Sequence, residues 1–327
     1  GYAYVADGLF GLKVLDLTLP ESPELAGSYA TSGSAEGVVV AGDYAYVADS
    51  EEGFFIIDIS NPEDPVFVAS LPHPAQKVTV GGGQAFLAAG TNGIHSIDVS
   101  VPASPVLLGT FDGNGDPDFK VNDVELVGST VYMALDGGLA QISTSLSGYS
   151  VKVIADEENN QNCSAITYDG STLYLSLNDY GAFAYTLSKT LLGSAATPGS
   201  AEDCAYNEGL LYVADGSKGL RILDATDPAG IESYASYANI QAYGVTVANG
   251  YAYVASKSSG IQIFRSSVDT DEDGMYDDWE IDNFGDLLQG AFDDNDNDGI
   301  FNWGEYLANL NPANSDQDGD LLIDGFD

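Results

Sequence analysis

The chain has 327 residues and a formal charge of −41, with 50 Asp and Glu against 9 Lys and Arg. A field of that sign excludes a grip on nucleic acid or an anionic bilayer through net charge, and 44% apolar residues exclude disorder throughout. No apolar run approaches the roughly 18 residues of a membrane span, and the length sets a prior of about two domains.

From the N-terminus, one aromatic-led segment recurs seven times: at Tyr4, Tyr46, Phe86, Tyr132, Tyr174, Tyr212 and Tyr253, as in Tyr46-Val47-Ala48-Asp49. The spacings are 42, 40, 46, 42, 38 and 41 residues. A glycine follows each aromatic after six or seven residues (Gly11, Gly53, Gly93, Gly138, Gly181, Gly219, Gly260). An apolar strand such as Phe54-Phe55-Ile56-Ile57 follows the glycine, and in most units a proline-marked turn comes next. Before most of the aromatics stands another short strand, such as Val38-Val39-Val40 or Val245-Thr246-Val247. Each unit therefore reads as four strands of about five residues. One such sheet cannot hide both faces, and radial stacking does so, so residues 1–265 are expected to form a mainly β, seven-bladed propeller, with eight blades as the alternative.

The first unit enters directly on its tyrosine strand, which leaves a gap in the ring unless residues lie upstream of Gly1. The last unit stops after Ile261-Gln262-Ile263-Phe264 and is expected to lack its outer strand. The Tyr-x-Tyr-Val-Ala-Asp and Gly-Leu-x-Ile-x-Asp phrases resemble the LVIVD-repeat propellers of bacterial and archaeal surface proteins. That resemblance implies the propeller fold and a scaffold role, and carries no catalytic residue onto this chain.

Residues 266–327 differ in composition. From Asp269 onward there are 19 acids and no Lys or Arg. Asp269-x-Asp271-x-Asp273-Gly274-Met275-x-Asp277-x-x-Glu280 fits a twelve-residue EF-hand-type calcium loop at every ligand position. The alternating Asp residues offer carboxylates, Met275 its backbone carbonyl, and Glu280 two closing oxygens from the first turn of a helix. Asp294, Asp296, Asp298, Ile300, Asn302 and Glu305 repeat the pattern, with Gly299 at the turn. A third copy, Asp316, Asp318, Asp320, Leu322, Asp324 and Asp327, has Leu321 in place of glycine and Asp in place of glutamate, so a weaker site is expected. This tail resembles thrombospondin type 3 and dockerin-like calcium repeats, which implies two to three bound Ca²⁺ and folding coupled to binding.

Other features carry less. Asp112–Asp118 offers alternating oxygens that could hold a calcium, but no closing glutamate follows at loop spacing, and a plain turn is the favoured reading. Cys163 and Cys204 precede adjacent tyrosine strands and are either bridged or buried as thiols. The recurrent Asp7, Asp49, Asp215, Asp16, Asp58, Asp98 and Asp224 read as turn caps rather than a carboxylate ring. Glu36, Gln76, Lys77, Asp123, Asp203 and Tyr243 are placed to line one channel mouth. Two histidines, His73 and His95, do not make a zinc site.

The expected function is an extracellular or cell-surface calcium-binding structural, adhesion or interaction protein. Its partners are other proteins or further copies of itself, in a homo-oligomer or filament, with no nucleic acid and no membrane insertion. The alternatives are a secreted polysaccharide-active enzyme using the channel and a dockerin-type tether to a larger complex.

Overall fold

A computed structural model describes residues 1–20, 22–116, 119–153, 162–265, 273, 275, 277–285, 288–308 and 310–315. Two compact units are distinguished: Gly1–Val247 with Ala252–Phe264, and Arg265–Asp327 with Ala248–Tyr251.

The first unit is built from seven sheets. The first holds β1 (Tyr2–Ala6), β2 (Leu12–Asp16) and β3 (Glu24–Tyr29); the second holds β4 (Ala35–Ala41), β5 (Tyr44–Asp49), β6 (Gly53–Asp58) and β7 (Val66–Leu71). The third holds β8 (Lys77–Gly81), β9 (Gln84–Ala88), β10 (Ile94–Asp98) and β11 (Val106–Phe111); the fourth β12 (Val121–Val127), β13 (Thr130–Leu135), β14 (Gly138–Ser143) and β15 (Ser150–Val153). The fifth holds β16 (Cys163–Tyr168), β17 (Thr172–Leu177), β18 (Gly181–Thr186) and β19 (Leu191–Ala195); the sixth β20 (Asp203–Asn207), β21 (Leu210–Ala214), β22 (Leu220–Asp224) and β23 (Glu232–Tyr237). The seventh holds β24 (Gly244–Ala248), β25 (Tyr251–Ala255) and β26 (Ile261–Arg265).

In every sheet each strand lies beside the next one in sequence, so each is a meander. The first strands of successive sheets pack on one another: β4 on β8, β8 on β12, β12 on β16 and β16 on β20. They are the inner strands of a seven-bladed β-propeller. Among the described residues the first sheet runs from its tyrosine strand, β1, through β2 and β3, and the seventh holds β24, β25 and β26.

Side chains alternate between the two faces of a strand, and here both faces are apolar. In β5, Tyr46 and Ala48 pack with Ala85, Leu87 and Ile97 of the third sheet. The intervening Ala45 and Val47 pack with Leu12 of the first. The core is therefore a series of sheet-to-sheet interfaces, and central strands read as continuous apolar runs. Tyr174 is fully buried, and its hydroxyl donates to the Ala225 carbonyl oxygen at 3.3 Å.

The recurrent glycine has a steric cause. Gly53 opens β6 with φ +117°, and a Cβ there would run into the Leu71 carbonyl oxygen of the outer strand. In the second unit, α1 (Asp277–Phe284) and α2 (Asn302–Ala308) are joined by aromatic contact. The Trp279 and Tyr306 rings meet edge to face with centroids 5.3 Å apart.

Gly53→Ala is expected to lower stability by about 2–3 kcal/mol, through backbone strain and the forced shift of β7. Gly42→Ala, also at positive φ but with open space around it, should cost only about 1–2 kcal/mol. Urea unfolding of the two variants measures the difference.

Candidate functional site

Two places gather chemistry-bearing side chains. The first is a cavity of about 810 Å³ in the propeller. It is lined by Val5 and Ala6 of β1, by Tyr243 and Gly244 where the seventh sheet begins, and by Glu36, Lys77 and Asp203 of inner strands. Lys13 and Lys257 complete it, so three of the chain's nine basic residues face this one space. Lys257 Nζ sits 3.3 Å from the centre of the Tyr243 ring. Lys77 Nζ lies 3.5 Å from Asp203 Oδ1. The Asp203 charge raises the Lys77 pKa against the opposing effect of burial, with Asp123 helping.

The inner-strand acids are tied into the backbone. Asp123 Oδ1 accepts from the Val124 N–H at 2.8 Å, and Oδ2 accepts from the Ile166 N–H of the next sheet at 3.0 Å. Asp203 does the same, accepting from Cys204 at 3.1 Å and from Val245 of the next sheet at 3.2 Å. Each acid therefore staples one inner strand to its successor. Burial pushes the Asp123 carboxyl up to about 6, with Lys77 opposing. Burial, and then Asp123, push Glu125 up to about 7.

The second place is the middle acidic loop. Ligand oxygens of Asp294, Asp296 and Asp298 lie within 4.8 Å of one another. The turn that gathers them is held by backbone donors. Asp298 N–H donates to Asp294 Oδ1 at 3.1 Å and to Asp296 Oδ1 at 3.2 Å, and Gly299, at φ +97°, donates to Asp294 Oδ2 at 3.2 Å. The Ile300 N–H donates to Asp298 Oδ1 at 2.7 Å. Asn302 and Glu305, on α2, are both buried. Among the described residues, Asp296 Oδ2, Asp298 Oδ2 and Asn302 Oδ1 are buried acceptors without a hydrogen-bond donor. Burial and the nearby Asp298 and Asp294 push the Asp296 carboxyl up. Like charges at such range cost about 1 kcal/mol per pair in water and several times more near a protein surface. Hard oxygen donors, crowded and partly desolvated, fit a hard divalent cation.

The first loop is described in part: Asp273 Oδ1 accepts from the Met275 N–H at 2.9 Å, Met275 and Glu280 are buried, and Asp277 opens α1. Asp269 and Asp271 lie outside the described residues, as do Asp316, Asp318, Asp320, Leu322, Asp324 and Asp327.

The LVIVD repeat model matches residues 1–31, 32–71, 74–113, 198–238 and 241–264. The chain belongs to this family. No curated protein matches it. Among solved structures, the LVIVD propeller is similar to a chain of the Mitotic Checkpoint Complex, with a TM-score of 0.66 and 11% identity over 81% of this chain and 84% of that one. It is similar to the computationally designed Ika8 protein at TM-score 0.59 and 7% identity, over 81% and 80% of the two chains. It is also similar to the extracellular domain of a protein ascribed to a one-component system of B. thetaiotaomicron, at TM-score 0.63 and 15% identity. That match covers 83% of this chain but 37% of the other. At these identities the likeness is one of fold.

Within the LVIVD repeats, several of the recurrent aspartates cap turns, whereas Asp215 accepts from Thr197 and Gly199 and pairs with Arg221. Asp58, Asp98 and Asp224 each accept from the N–H two residues on. Asp112 likewise accepts from Asn114 at 3.1 Å, in a turn. Cys163 and Cys204 are buried free thiols. His95 Nδ1 pairs with Thr110 Oγ1 at 2.8 Å, and burial, then His73, push His95 down to about 4. Lys13 and Lys257 are the cavity residues that sequence reasoning missed. Lys257 had a usable signal, a cation directly after the last tyrosine strand.

Asp49 accepts N–H groups from Ser34 at 3.0 Å, Glu51 at 3.0 Å and Glu52 at 2.9 Å. Burial alone would raise its pKa, but these donors hold it below the usual carboxylate range. Its contribution is thus present above the unfolded pKa of about 3.9 and lost as pH falls through the folded value. Asp49→Asn is expected to cost about 1–3 kcal/mol at pH 7. The gap from the parent should close below about pH 4 in urea titrations across pH.

Proposed function

We propose that this LVIVD protein is an extracellular or cell-surface interaction scaffold, a β-propeller whose acidic C-terminal unit is stabilised by Ca²⁺. The observation that carries the reading is the middle loop, where three converging carboxylates stand beside buried acceptor oxygens of Asp296, Asp298 and Asn302 that lack donors. Asp294, Asp296, Asp298, the Ile300 carbonyl, Asn302 and Glu305 would hold the ion. When bound, it would neutralise the crowded carboxylates and draw the start of α2 toward the loop.

The location follows from affinity. Extracellular calcium modules of this kind work at about 10⁻⁴–10⁻³ M, a level the cytosol does not supply. Among the described residues no helix is long and apolar enough to cross a membrane. The scaffold role rests on the rigid meander sheets and on propellers of like fold that sit within assemblies, such as the chain of the Mitotic Checkpoint Complex.

A polysaccharide-active enzyme has one observation in its favour, the raised Asp123 and Glu125. Both Asp123 oxygens are occupied by backbone N–H groups. Glycoside hydrolysis uses two unencumbered carboxyl groups, and Asp123 does not supply one of them.

Calcium titration of the full chain is expected to raise the melting temperature and helical circular dichroism of the C-terminal unit, with Kd about 10⁻⁴–10⁻³ M. Asp296→Asn should weaken binding by about tenfold or more. Identical melting curves in calcium and in chelator, or an equal effect of magnesium, would overturn the proposal.

A further inference from the structure

The chain has two histidines, and the propeller brings them together. The His73 and His95 rings lie with centroids 5.1 Å apart, tilted by 44°. His95 is the second residue of β10 and is 7% exposed. His73 is half-buried, in the segment between β7 and β8. Its backbone is fixed in three ways. Pro72 and Pro74 flank it, its N–H donates to the Leu71 carbonyl oxygen at 2.8 Å, and a Cβ on Gly53 would stand 2.7 Å from its nitrogen.

The repeat does not call for this pair. The place of His73, second after an outer strand, is held by Thr31 before the second sheet and by Thr197 before the sixth. Thr197 Oγ1 donates at 2.6 Å to Asp215, the aspartate that ends its tyrosine segment. In the third sheet Ala89 stands where that aspartate would be. His73 thus has no carboxylate at the usual place, and among the described residues its ring makes no hydrogen bond. The place of His95, second after the recurrent glycine, holds Lys13, Phe55, Arg221 and Gln262 in other sheets, so packing does not demand an imidazole there.

The second ring nitrogen is already arranged. His95 Nδ1 pairs with Thr110 Oγ1 of β11 at 2.8 Å. An ion taken at Nε2 selects the tautomer whose Nδ1–H donates to that hydroxyl, which is how metal-bound imidazoles are oriented. Two imidazoles on one tetrahedral ion, at metal–nitrogen distances of about 2.0–2.1 Å, hold their centroids about 5 Å apart. The observed spacing meets this without movement of a strand. Neutral nitrogen donors suit Cu²⁺, Ni²⁺ and Zn²⁺ rather than Ca²⁺ or Mg²⁺. Two imidazoles do not close a structural zinc site, but they do make an open one.

We propose that His73 and His95 form a two-imidazole chelate for a divalent transition ion, Cu²⁺, Ni²⁺ or Zn²⁺, with Thr110 orienting His95 and water completing the coordination. The propeller then carries a nitrogen site of its own, independent of the oxygen loops of the C-terminal unit.

The probe is Cu²⁺, added to the full chain in excess Ca²⁺, which competes for carboxylates. One equivalent is expected to give an electron paramagnetic resonance spectrum with couplings to two imidazole nitrogens, and Zn²⁺ to shift the ring-proton NMR signals of both histidines together. His73→Asn should remove one nitrogen and weaken binding by about tenfold or more. Thr110→Val, at an exposed position, should keep both nitrogens and the melting temperature but weaken binding by about tenfold. Unchanged affinity in either variant, or coordination by oxygen alone or by a single nitrogen, overturns the proposal. So does loss of the two-nitrogen signal in Asp296→Asn, which would place the ion in the acidic loop. The rise in melting temperature with Ca²⁺, read without copper, reports on the calcium reading separately.

Discussion

The central sheets of this propeller are apolar on both faces, and neither face can be left in water. Burying one Val, Leu, Ile or Phe side chain is worth about 1.5–3 kcal/mol, and each of these sheets carries such residues on two sides. A second sheet covers one face and exposes a new one. Closure into a ring is the arrangement that ends the series, so stability accumulates from neighbour to neighbour as in other repeat proteins. The same constraint explains the recurrent glycine at the start of the third strand, since Gly53 must let the outer strand approach closely enough to complete the sheet.

The strand order and the blade number were legible because they repeat. An aromatic, a glycine seven residues on and a proline turn form a pattern that survives even where single residues change, as at Phe86 or Gly138. The lysine-lined cavity was only half legible. Lys77 and Asp203 could be placed at a channel mouth by their position before inner strands, but Lys13 and Lys257 come to the same space only when the ring brings together residues more than two hundred positions apart. Nor did the sequence distinguish Asp123 as a staple, because its second acceptor contact is to Ile166 of the following sheet. Residues 114–197, which the LVIVD model leaves unmatched, still fold as the fourth and fifth sheets, so the packing rule is broader than the motif.

The C-terminal unit obeys a different economy of forces. Its two short helices meet through the Trp279 and Tyr306 rings, and its acids outnumber anything that could neutralise them within the unit: 19 against no Lys or Arg from Asp269 onward. There the spacing of Asp294, Asp296 and Asp298 was readable residue by residue. The local chain alone determines how close those oxygens come, with Gly299 and the turn's own N–H groups setting the geometry.

The two buried thiols give the ring a built-in reporter. Cys163 opens β16 and Cys204 is the second residue of β20, the neighbouring inner strand; they are 0% and 5% exposed, and burial raises both pKa values. Thiolate, the reactive form, is scarce, and a reagent in solution has no path to the sulfur while the strands are together. The chain can therefore pass through oxidising surroundings without cross-linking to its neighbours. Alkylation becomes a clock: each labelled molecule records a moment when two adjacent blades had come apart.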